Sequence, residues 1–358
     1  MHTRKILTLL TIMGAAATIA FAPASLATNE DTDDKGQTDL ANRNCTVDGK
    51  KLEQSSASGN VNAQVKLGGW YRVGFCVARD KKQAAALYQK AAKQGNMDAQ
   101  YALGSMYVLG EGVEKDLELA AALFEQAAKQ GHTDAQYGLG SMYFEGWGVE
   151  KDKRKAAELY AQAAEDGLRD AQYKLGKMYL EGDGVQKNIS EGIELVKLAA
   201  ISDFTDAQLL LASKYAKGEN VEKNIQIAVD LYTRAIELGS IEGILGLGAI
   251  LEDTDAEVQT NLDAAFLYDL AAERGSAKAQ AKLANLYEKG ITVEQDLQKA
   301  YSLYRQASDD GNKKAQFELG KLYVRGKGVP QSFANAHMWL NVAAAQGNEK
   351  AAELRDEI

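Results

Sequence analysis

The sequence predicts an all-α protein: an αα-superhelix, or solenoid, of about eight 36-residue helix-turn-helix repeats with a capping helix at each end. Two recurring phrases carry this prediction. The first, Ala-Gln-x-x-Leu-Gly-x-x-Tyr, returns every 36 residues, and the second, Gly-x-Gly-Val, follows it at a fixed distance. Because one such unit cannot bury its own apolar face, stacked neighbours must supply the core. The units begin at Ala63, Ala99, Ala135, Ala171, Ala207, Gly243, Ala279 and Ala315.

Each unit divides into a first helix, a glycine turn and a second helix. In the second unit the first helix ends at Gly110 and Gly112, because glycine readily adopts the left-handed backbone angles that end a helix and reverse the chain. The second helix reads Ala-x-x-Leu-Tyr-x-x-Ala-Ala and begins this phrase at Ala84 in the first unit. Apolar residues at a spacing of three and four predict one buried stripe, and the alanines predict close helix approach.

These phrases resemble those of Sel1-like repeat proteins, which are relatives of tetratricopeptide arrays, and the resemblance extends over most of the chain. It implies an α-solenoid of the tetratricopeptide-like type. It also implies a scaffold, adaptor or regulator of other proteins rather than an enzyme, and several bacterial members of the family are exported.

The chain divides by pattern into five segments. They are a cleaved secretory signal at 1–27, an acidic flexible linker at 28–44, an N-terminal capping half-repeat at 45–62, eight repeats at 63–350 and a C-terminal cap at 351–358. The signal is indicated by Arg4 and Lys5, the apolar run after them and the small residues before a cleavage point at Ala27, or alternatively at Ala24. It predicts a periplasmic, secreted or cell-surface protein with no membrane segment after cleavage.

Charge narrows the range of partners. The formal net charge is −9, and removal of the signal would take away two basic residues and leave the protein more acidic. An acidic surface disfavours nucleic acid and anionic lipid, since both bind basic surfaces. We therefore expect a protein or peptide partner. We also expect a monomer without a cofactor.

The two cysteines, Cys45 and Cys76, are predicted to form a disulfide. In the 36-residue frame Cys45 begins the capping helix and Cys76 replaces the second glycine of the first turn, and antiparallel neighbours bring those two ends together. Export to an oxidising compartment favours the bond, which would stabilise the fold by roughly 3 kcal/mol. The alternative is two free or intermolecular thiols.

The side of the first helices that faces away from the core is the predicted partner-binding surface. At about 100° per residue, the recurring Ala, Leu and Tyr lie on one side, and the opposite side is expected to line the concave surface. The residues assigned to it are Tyr101, Ser105, Val108, Leu109, Tyr137, Ser141, Phe144, Tyr173, Lys177 and Leu180. An acidic row beside them comprises Asp98, Asp134, Asp170, Asp206 and Glu242. Such a groove suits an extended or helical peptide with apolar anchors and basic residues.

Some of these residues have a structural alternative. Tyr101, Tyr137 and Tyr173 would then pack against the next repeat, and the aspartates would be caps or first-turn residues favoured by the helix dipole. Phe144 and Trp147 are the strongest candidates for partner contact. The position of Phe144 holds aliphatic residues in other units, and the turn position of Trp147 holds charged ones.

The sixth unit departs most from the pattern. It lacks Ala-Gln and carries Thr254-Asp-Ala256-Glu257 in place of Gly-x-Gly-Val, which predicts an altered helix end. A calcium loop is disfavoured because Val258 and Ala264 stand where an EF-hand needs glycine and glutamate. We expect no metal site.

The sequence gives little support for catalysis. Nucleophile-elbow, phosphate-loop and metalloprotease motifs are absent, and His132 and His337 are expected to have structural roles. Some cysteine-rich relatives are linked to penicillin-like compounds, so an enzyme that binds or hydrolyses β-lactams is the rival class that the resemblance implies. The absence of Ser-x-x-Lys, Ser-Asp-Asn and Lys-Thr-Gly argues against its serine mechanism.

Overall fold

The structure is a computed structural model that describes residue 45, residues 49–253 and residues 263–358. Over this part of the chain it contains 18 helices and no strands, which confirms the predicted all-α fold. The predicted signal at 1–27, the linker at 28–44 and the sixth-unit turn at 254–257 lie outside the described residues. Across the described ranges, no helix is long and apolar enough to cross a lipid bilayer.

The described residues fall into two compact units, divided after Phe204. We call the part that ends at Phe204 the N-terminal unit. Its described helices are α1 (49–57), α2 (Val61–Val73), α3 (Lys81–Lys93), α4 (Met97–Leu109), α5 (Leu117–Lys129), α6 (Thr133–Glu145), α7 (Lys153–Glu165), α8 (Arg169–Glu181) and α9 (Ile189–Ile201). From α2 to α17, each even-numbered helix is the first helix of a repeat, termed the A helix. The odd-numbered helix that follows is the B helix of the same repeat.

The C-terminal unit is Thr205–Ile358. Its described helices are α10 (Thr205–Lys217), α11 (Ile225–Glu237), α12 (Ile241–Leu251), α13 (Ala264–Glu273), α14 (Ala277–Lys289), α15 (Leu297–Asp309), α16 (Lys313–Arg325), α17 (Phe333–Ala345) and α18 (Glu349–Glu357). From α2 onward within each unit, successive helices pack on one another, so that the hairpins stack side by side as in an α-solenoid.

Most A helices begin at a side-chain cap and end at a glycine. The side chain of Asn96 accepts a hydrogen bond from the N–H of Ala99 at 2.8 Å, and α4 ends at Gly110, whose φ is 69°. The B helix α5 begins in the same way, because the carboxylate of Asp116 accepts from the N–H of Leu119 at 2.9 Å. Caps and left-handed glycines satisfy backbone groups that helix ends leave unpaired, so the turns follow from the repeated sequence.

The glycine of the Leu-Gly phrase makes room for a large side chain. Gly104 of α4 faces the ring of Phe124 on α5, and a Cβ at this position would come within 2.7 Å of that ring. Gly140 faces the buried ring of Tyr160 in the same way. The A and B helices of one repeat can therefore approach closely with an aromatic ring between them, at the density of a well-packed core.

The second glycine of the turn fixes the junction between repeats. Gly148 has a φ of 67°, and a Cβ there would overlap the backbone carbonyl group of Leu117, the first residue of the preceding B helix. Gly112 stands in the same relation to Lys81. Glycine alone combines this backbone conformation with so close an approach, so Gly-x-Gly-Val sets the spacing of repeats as well as the turn.

The glutamine of the Ala-Gln phrase joins three helices. The buried side chain of Gln100 donates to the carbonyl of Ala92 in the preceding B helix at 3.4 Å and accepts from the side chain of Gln130 at 2.8 Å. This glutamine pair, 30 residues apart, occurs at Gln64–Gln94, Gln100–Gln130 and Gln316–Gln346. Because buried amides need partners, the pair satisfies the oxygen of the buried glutamine in these three repeats.

Where the second glutamine is missing, the first one is left short of a donor. In the described part of the chain, Oε1 of Gln280 has no hydrogen-bond partner, and the residue 30 positions later is Asp310, the C-cap of α15. The substitution Asp310→Gln is expected to raise the free energy of unfolding by about 1 kcal/mol, because it supplies the missing donor. Urea unfolding followed by circular dichroism measures the gain. Asp310→Asn is the control, since it removes the same charge with a shorter side chain, and equal gains from both would contradict the hydrogen-bond explanation.

The predicted disulfide is present at the N-terminal end. Cys45 is bonded to Cys76, and their Cα atoms are 5.0 Å apart. Cys76 has a φ of 57° at the position where the turns of the next three repeats have glycine. A non-glycine residue in this conformation costs roughly 1 kcal/mol, so the cross-link holds the chain in a turn that cysteine does not favour by itself.

Candidate partner-binding surface

The three predicted tyrosines pack within the repeats. The ring of Tyr101 stacks on Phe124 with centroids 5.6 Å apart and lies 4.6 Å from the ring of His132. The corresponding ring pairs are Tyr137–Tyr160 at 5.5 Å and Tyr173–Phe204 at 5.2 Å. Burial raises the pKa of Tyr101 and that of Tyr137, so both hydroxyls stay protonated at neutral pH. These contacts give the tyrosines a packing role, but within one repeat rather than against the next repeat as the structural alternative had it, and a partner could reach only the part of each ring that remains exposed.

Leu180 was predicted to face a partner, and this prediction is wrong. Its side chain is 7% exposed because it packs over Gly192 of α9, where a Cβ would come within 2.8 Å of the leucine Cγ. The other B helices described in the N-terminal unit have alanine at the position of Gly192. The missing methyl group provides the space that Leu180 fills.

Phe144 and Val108 occupy equivalent positions on consecutive A helices, and both are half-buried. Val108 packs against the core cluster around Phe124. Phe144 lies under Lys153, whose Nζ is 4.9 Å from the ring centroid. Each therefore offers one edge rather than a whole side chain to a partner.

Trp147 is the predicted aromatic residue most available to a partner, with 51% of its side chain exposed in the turn after α6. At the equivalent turn position of the neighbouring repeats, a carboxylate pairs with the lysine that begins the preceding B helix. These ion pairs are Lys81–Glu111 at 2.6 Å and Lys153–Asp183 at 2.5 Å. At the junction between them, Leu117 takes the place of the lysine and Trp147 the place of the carboxylate. Apolar residues thus stand at both positions that form an ion pair in the neighbouring junctions.

Three further apolar residues lie at the same edge of the N-terminal unit. Val73 and Leu109 are the last residues of α2 and α4, and Phe75 occupies the same turn position as Trp147. All of them are more than half exposed. We call Val73, Phe75, Leu109 and Trp147 the apolar edge. These four residues occupy two turn positions in three consecutive repeats, with Glu145 and Glu111 at the remaining places. Scattered exposed apolar residues are ordinary, but several at the same turns can form an interaction surface.

The sequence prediction missed Val73, Phe75 and Leu117. A signal for them was available in later repeats. At the turn of the fourth repeat, the positions of Val73 and Phe75 hold Glu181 and Asp183. In the third repeat, the position of Leu117 holds Lys153. Comparing the charged positions of one repeat with the same positions in the others would have identified the apolar edge.

The predicted acidic residues lie in the first turns of A helices. Asp98, Asp134 and Asp170 all occupy this position, where the helix dipole favours a carboxylate. Asp98 lies 3.6 Å from Nε2 of His132, and Asp170 lies 3.9 Å from Arg169. These local contacts agree with the structural alternative, while the side chain of Asp134 remains exposed.

The described residues contain no group of three or more His, Cys, Asp and Glu side chains arranged to hold a metal ion. The candidate surface consists of exposed apolar side chains, and the lysines and carboxylates at the neighbouring junctions are paired with each other. Such a surface binds by burying a side chain of another molecule.

Alternating A and B helices with fixed junctions define an α-helical repeat protein of the solenoid class. The chain belongs to the Sel1 repeat family, because the family model matches more than half of it. The matched residues are 61–96, 98–132, 133–168, 169–203, 205–240, 277–312 and 313–348. The sixth predicted unit, between the fifth and sixth matches, is not matched.

Two solved structures are similar over most of the chain. One is a protective antigen present in uropathogenic Escherichia coli strains, which displays an SLR fold. It is 32% identical, with 86% of this chain and 73% of that chain covered and a TM-score of 0.65. The other is a Sel1 repeat protein from Oxalobacter formigenes, 27% identical, with 96% of this chain and 99% of that chain covered and a TM-score of 0.67. A comparison with curated proteins found no match.

Proposed function

We propose that this protein is a non-enzymatic interaction scaffold, an adaptor or regulator of the bacterial envelope, that binds a protein partner through the N-terminal unit. Sel1-repeat solenoids are typical of proteins that mediate protein–protein interactions, and this supports the class of function. The observation that carries the proposal is the exchange of an ion pair for Leu117 and Trp147 at one junction. Tryptophan is among the side chains that contribute most to protein interfaces.

The proposed partner places an apolar side chain against Trp147 and contacts the rest of the apolar edge. Phe144 and Asp134 lie on the same repeat as Trp147 and would extend this contact along its A helix. The edges of Tyr101, Tyr137 and Tyr173 and of Val108 would supply the neighbouring surface. Leu180 is no longer part of it, because it is buried.

The double substitution Leu117→Lys and Trp147→Asp tests the proposal without disturbing the fold. It installs the lysine–carboxylate pair that the next junction already contains as Lys153–Asp183. We expect the variant to remain folded by circular dichroism and to bind its partner at least tenfold more weakly, the loss typical of removing a tryptophan hot spot. The partner is first captured from envelope extract with immobilised protein and identified by quantitative mass spectrometry. Its dissociation constant is then measured with purified components.

The matched control is Leu198→Gln on α9. Leu198 is also half-exposed, and the equivalent residues of the two preceding B helices are Gln126 and Gln162, so the change is compatible with the fold. This variant is expected to bind normally. Undiminished binding by the double variant would contradict the proposed site. Equal losses of affinity in both variants would mean that any polar substitution of an exposed apolar residue weakens binding.

An envelope or extracellular location is part of the proposal. The Cys45–Cys76 disulfide supports it, because such bonds persist in oxidising compartments. The similarity to a protective antigen of uropathogenic E. coli favours a second candidate, a secreted or surface factor that binds a host protein. Cell fractionation distinguishes the two, since a periplasmic protein is released by outer-membrane disruption and a surface protein is accessible to protease on intact cells.

A further inference from the structure

A cleft of about 530 Å³ lies where the start of α7 meets the turn after α8. It is lined by Arg154, Tyr179, Gly182, Gly184, Val185 and Gln186. Gly184 has a φ of 76° and comes so close to Lys153 that a Cβ would overlap that residue. The wall of the cleft is therefore a fixed junction between two repeats, and it belongs entirely to the N-terminal unit.

The cleft contains a guanidinium group without a counter-charge. Among the described residues, the exposed side chain of Arg154 takes part in no ion pair and no hydrogen bond, whereas the adjacent Lys153 is paired with Asp183 at 2.5 Å. A guanidinium presents its N–H donors in a planar fork that matches the two oxygens of a carboxylate. The free group at the rim of a preformed cleft can therefore accept a carboxylate from another molecule.

A departure from the repeat pattern places a neutral side chain in the same cleft as this cation. The turn position of Gln186 holds glutamate in four other repeats, namely Glu114, Glu150, Glu222 and Glu294. At the two earlier junctions, the residue equivalent to Arg154 is Lys82, where the turn residue is Glu114, and Glu118, where the turn residue is Glu150. Among these three junctions, the one at Arg154 alone combines a cation with a neutral side chain. The amide of Gln186 adds two further N–H donors.

Other donors line the same cleft, and nearby acids limit the charge it can take. Burial and, to a lesser extent, Glu191 raise the pKa of Tyr179, so its hydroxyl stays protonated and can donate. The carboxylate of Glu191 is held by the Asn188 side chain at 2.9 Å, and that of Asp183 is held by Lys153. Because these acids lie close by, a ligand with a single negative charge fits better than a phosphate dianion.

We propose that this cleft binds the carboxylate group of a peptide or protein, with the Arg154 guanidinium as the bidentate donor and the Gln186 amide as a second one. The carboxylate comes either from a chain terminus or from an acidic side chain. The site is separate from the apolar edge, so its test requires neither the partner nor the proposed function.

The experiment is a nuclear magnetic resonance titration of the Nε–Hε signals of arginine in the purified protein. The Arg154 signal is assigned by its loss in the Arg154→Lys variant. N-acetylphenylalanine represents a chain terminus, the α-amide of N-acetylglutamic acid represents an acidic side chain, and N-acetylphenylalaninamide is the uncharged control. We expect the Arg154 signal to shift and saturate with at least one of the two carboxylates and to stay in place with the amide. The stronger of the two carboxylates identifies the source.

Gln186→Glu decides whether the cleft or merely an exposed arginine is responsible. Glutamate occurs at this position in four repeats, so the fold is expected to persist, and the new negative charge should weaken carboxylate binding by about fivefold. Glu150→Gln, at the junction without a cation, is the control and should leave binding unchanged. The proposal is overturned if no saturable shift occurs, if the uncharged amide produces the same shift or if Gln186→Glu binds as well as the original protein.

Discussion

The Gly148→Ala variant is expected to unfold at much lower urea concentration than the original protein, with a loss of about 3 kcal/mol. Two effects add. Alanine at a φ of 67° costs roughly 1 kcal/mol, and its Cβ would overlap the backbone carbonyl of Leu117, so that the junction between two repeats must open. Urea unfolding followed by circular dichroism at 222 nm gives the loss directly.

Gly131→Ala is the matched control for this prediction. Gly131 has a φ of 86°, but a Cβ there would have no heavy atom within 4 Å. Only the conformational cost remains, and the expected loss is about 1 kcal/mol. If the two alanine variants lost the same stability, the close approach of Gly148 to the preceding repeat would not be a determinant of the fold.

Loss of the disulfide is the second large effect that we expect. Replacing both cysteines, as Cys45→Ser with Cys76→Ser, should destabilise the N-terminal end by roughly 3 to 4 kcal/mol, because the bond closes a loop with a sequence separation of 31. Hydrogen exchange followed by mass spectrometry locates the effect. Backbone amides of α1 and α2 should lose protection, while those of α7, which belongs to the third repeat, should keep theirs.

A second pair of substitutions separates the cross-link from the strain of its turn. Cys45→Ser combined with Cys76→Gly removes the same bond but puts glycine at a φ of 57°. It should be more stable than the double serine variant by about 1 kcal/mol, because glycine adopts this conformation without a steric cost. The opposite order of stabilities would contradict the view that Cys76 occupies a glycine turn.

Most of the fold could be predicted because the same pattern of helix caps, turn glycines and core residues recurs in several repeats. Glycines end the A helices, polar residues cap both helices, and alanines and aromatic rings alternate in the core, so an error at one unit is corrected by the others. The disulfide also followed from the frame, since Cys45 and Cys76 occupy the two positions that a junction brings together. The segments before residue 45 remain predictions.

The candidate site was predicted less well because it depends on departures from the repeat rather than on the repeat itself. Leu180 was misplaced because a single change on another helix, Gly192 for alanine, opened a space that helical periodicity does not reveal. The exposure of Trp147 agrees with the prediction, but the accompanying substitution, Leu117, lies 30 residues earlier. Paired substitutions at a junction between repeats can be recognised in the sequence only when residues 30 positions apart are compared.

This regular separation has a consequence for how the array can change. Leu117 and Trp147 differ from Lys153 and Asp183 by side chains alone, since both junctions have the same chain length. Two point substitutions could therefore shift the aromatic anchor by one unit, or duplicate it, while leaving the scaffold intact. The solenoid would then present aromatic anchors at positions separated by multiples of 36 residues. The number of repeats between two aromatic anchors would then set the spacing of the side chains on the partner that contact them.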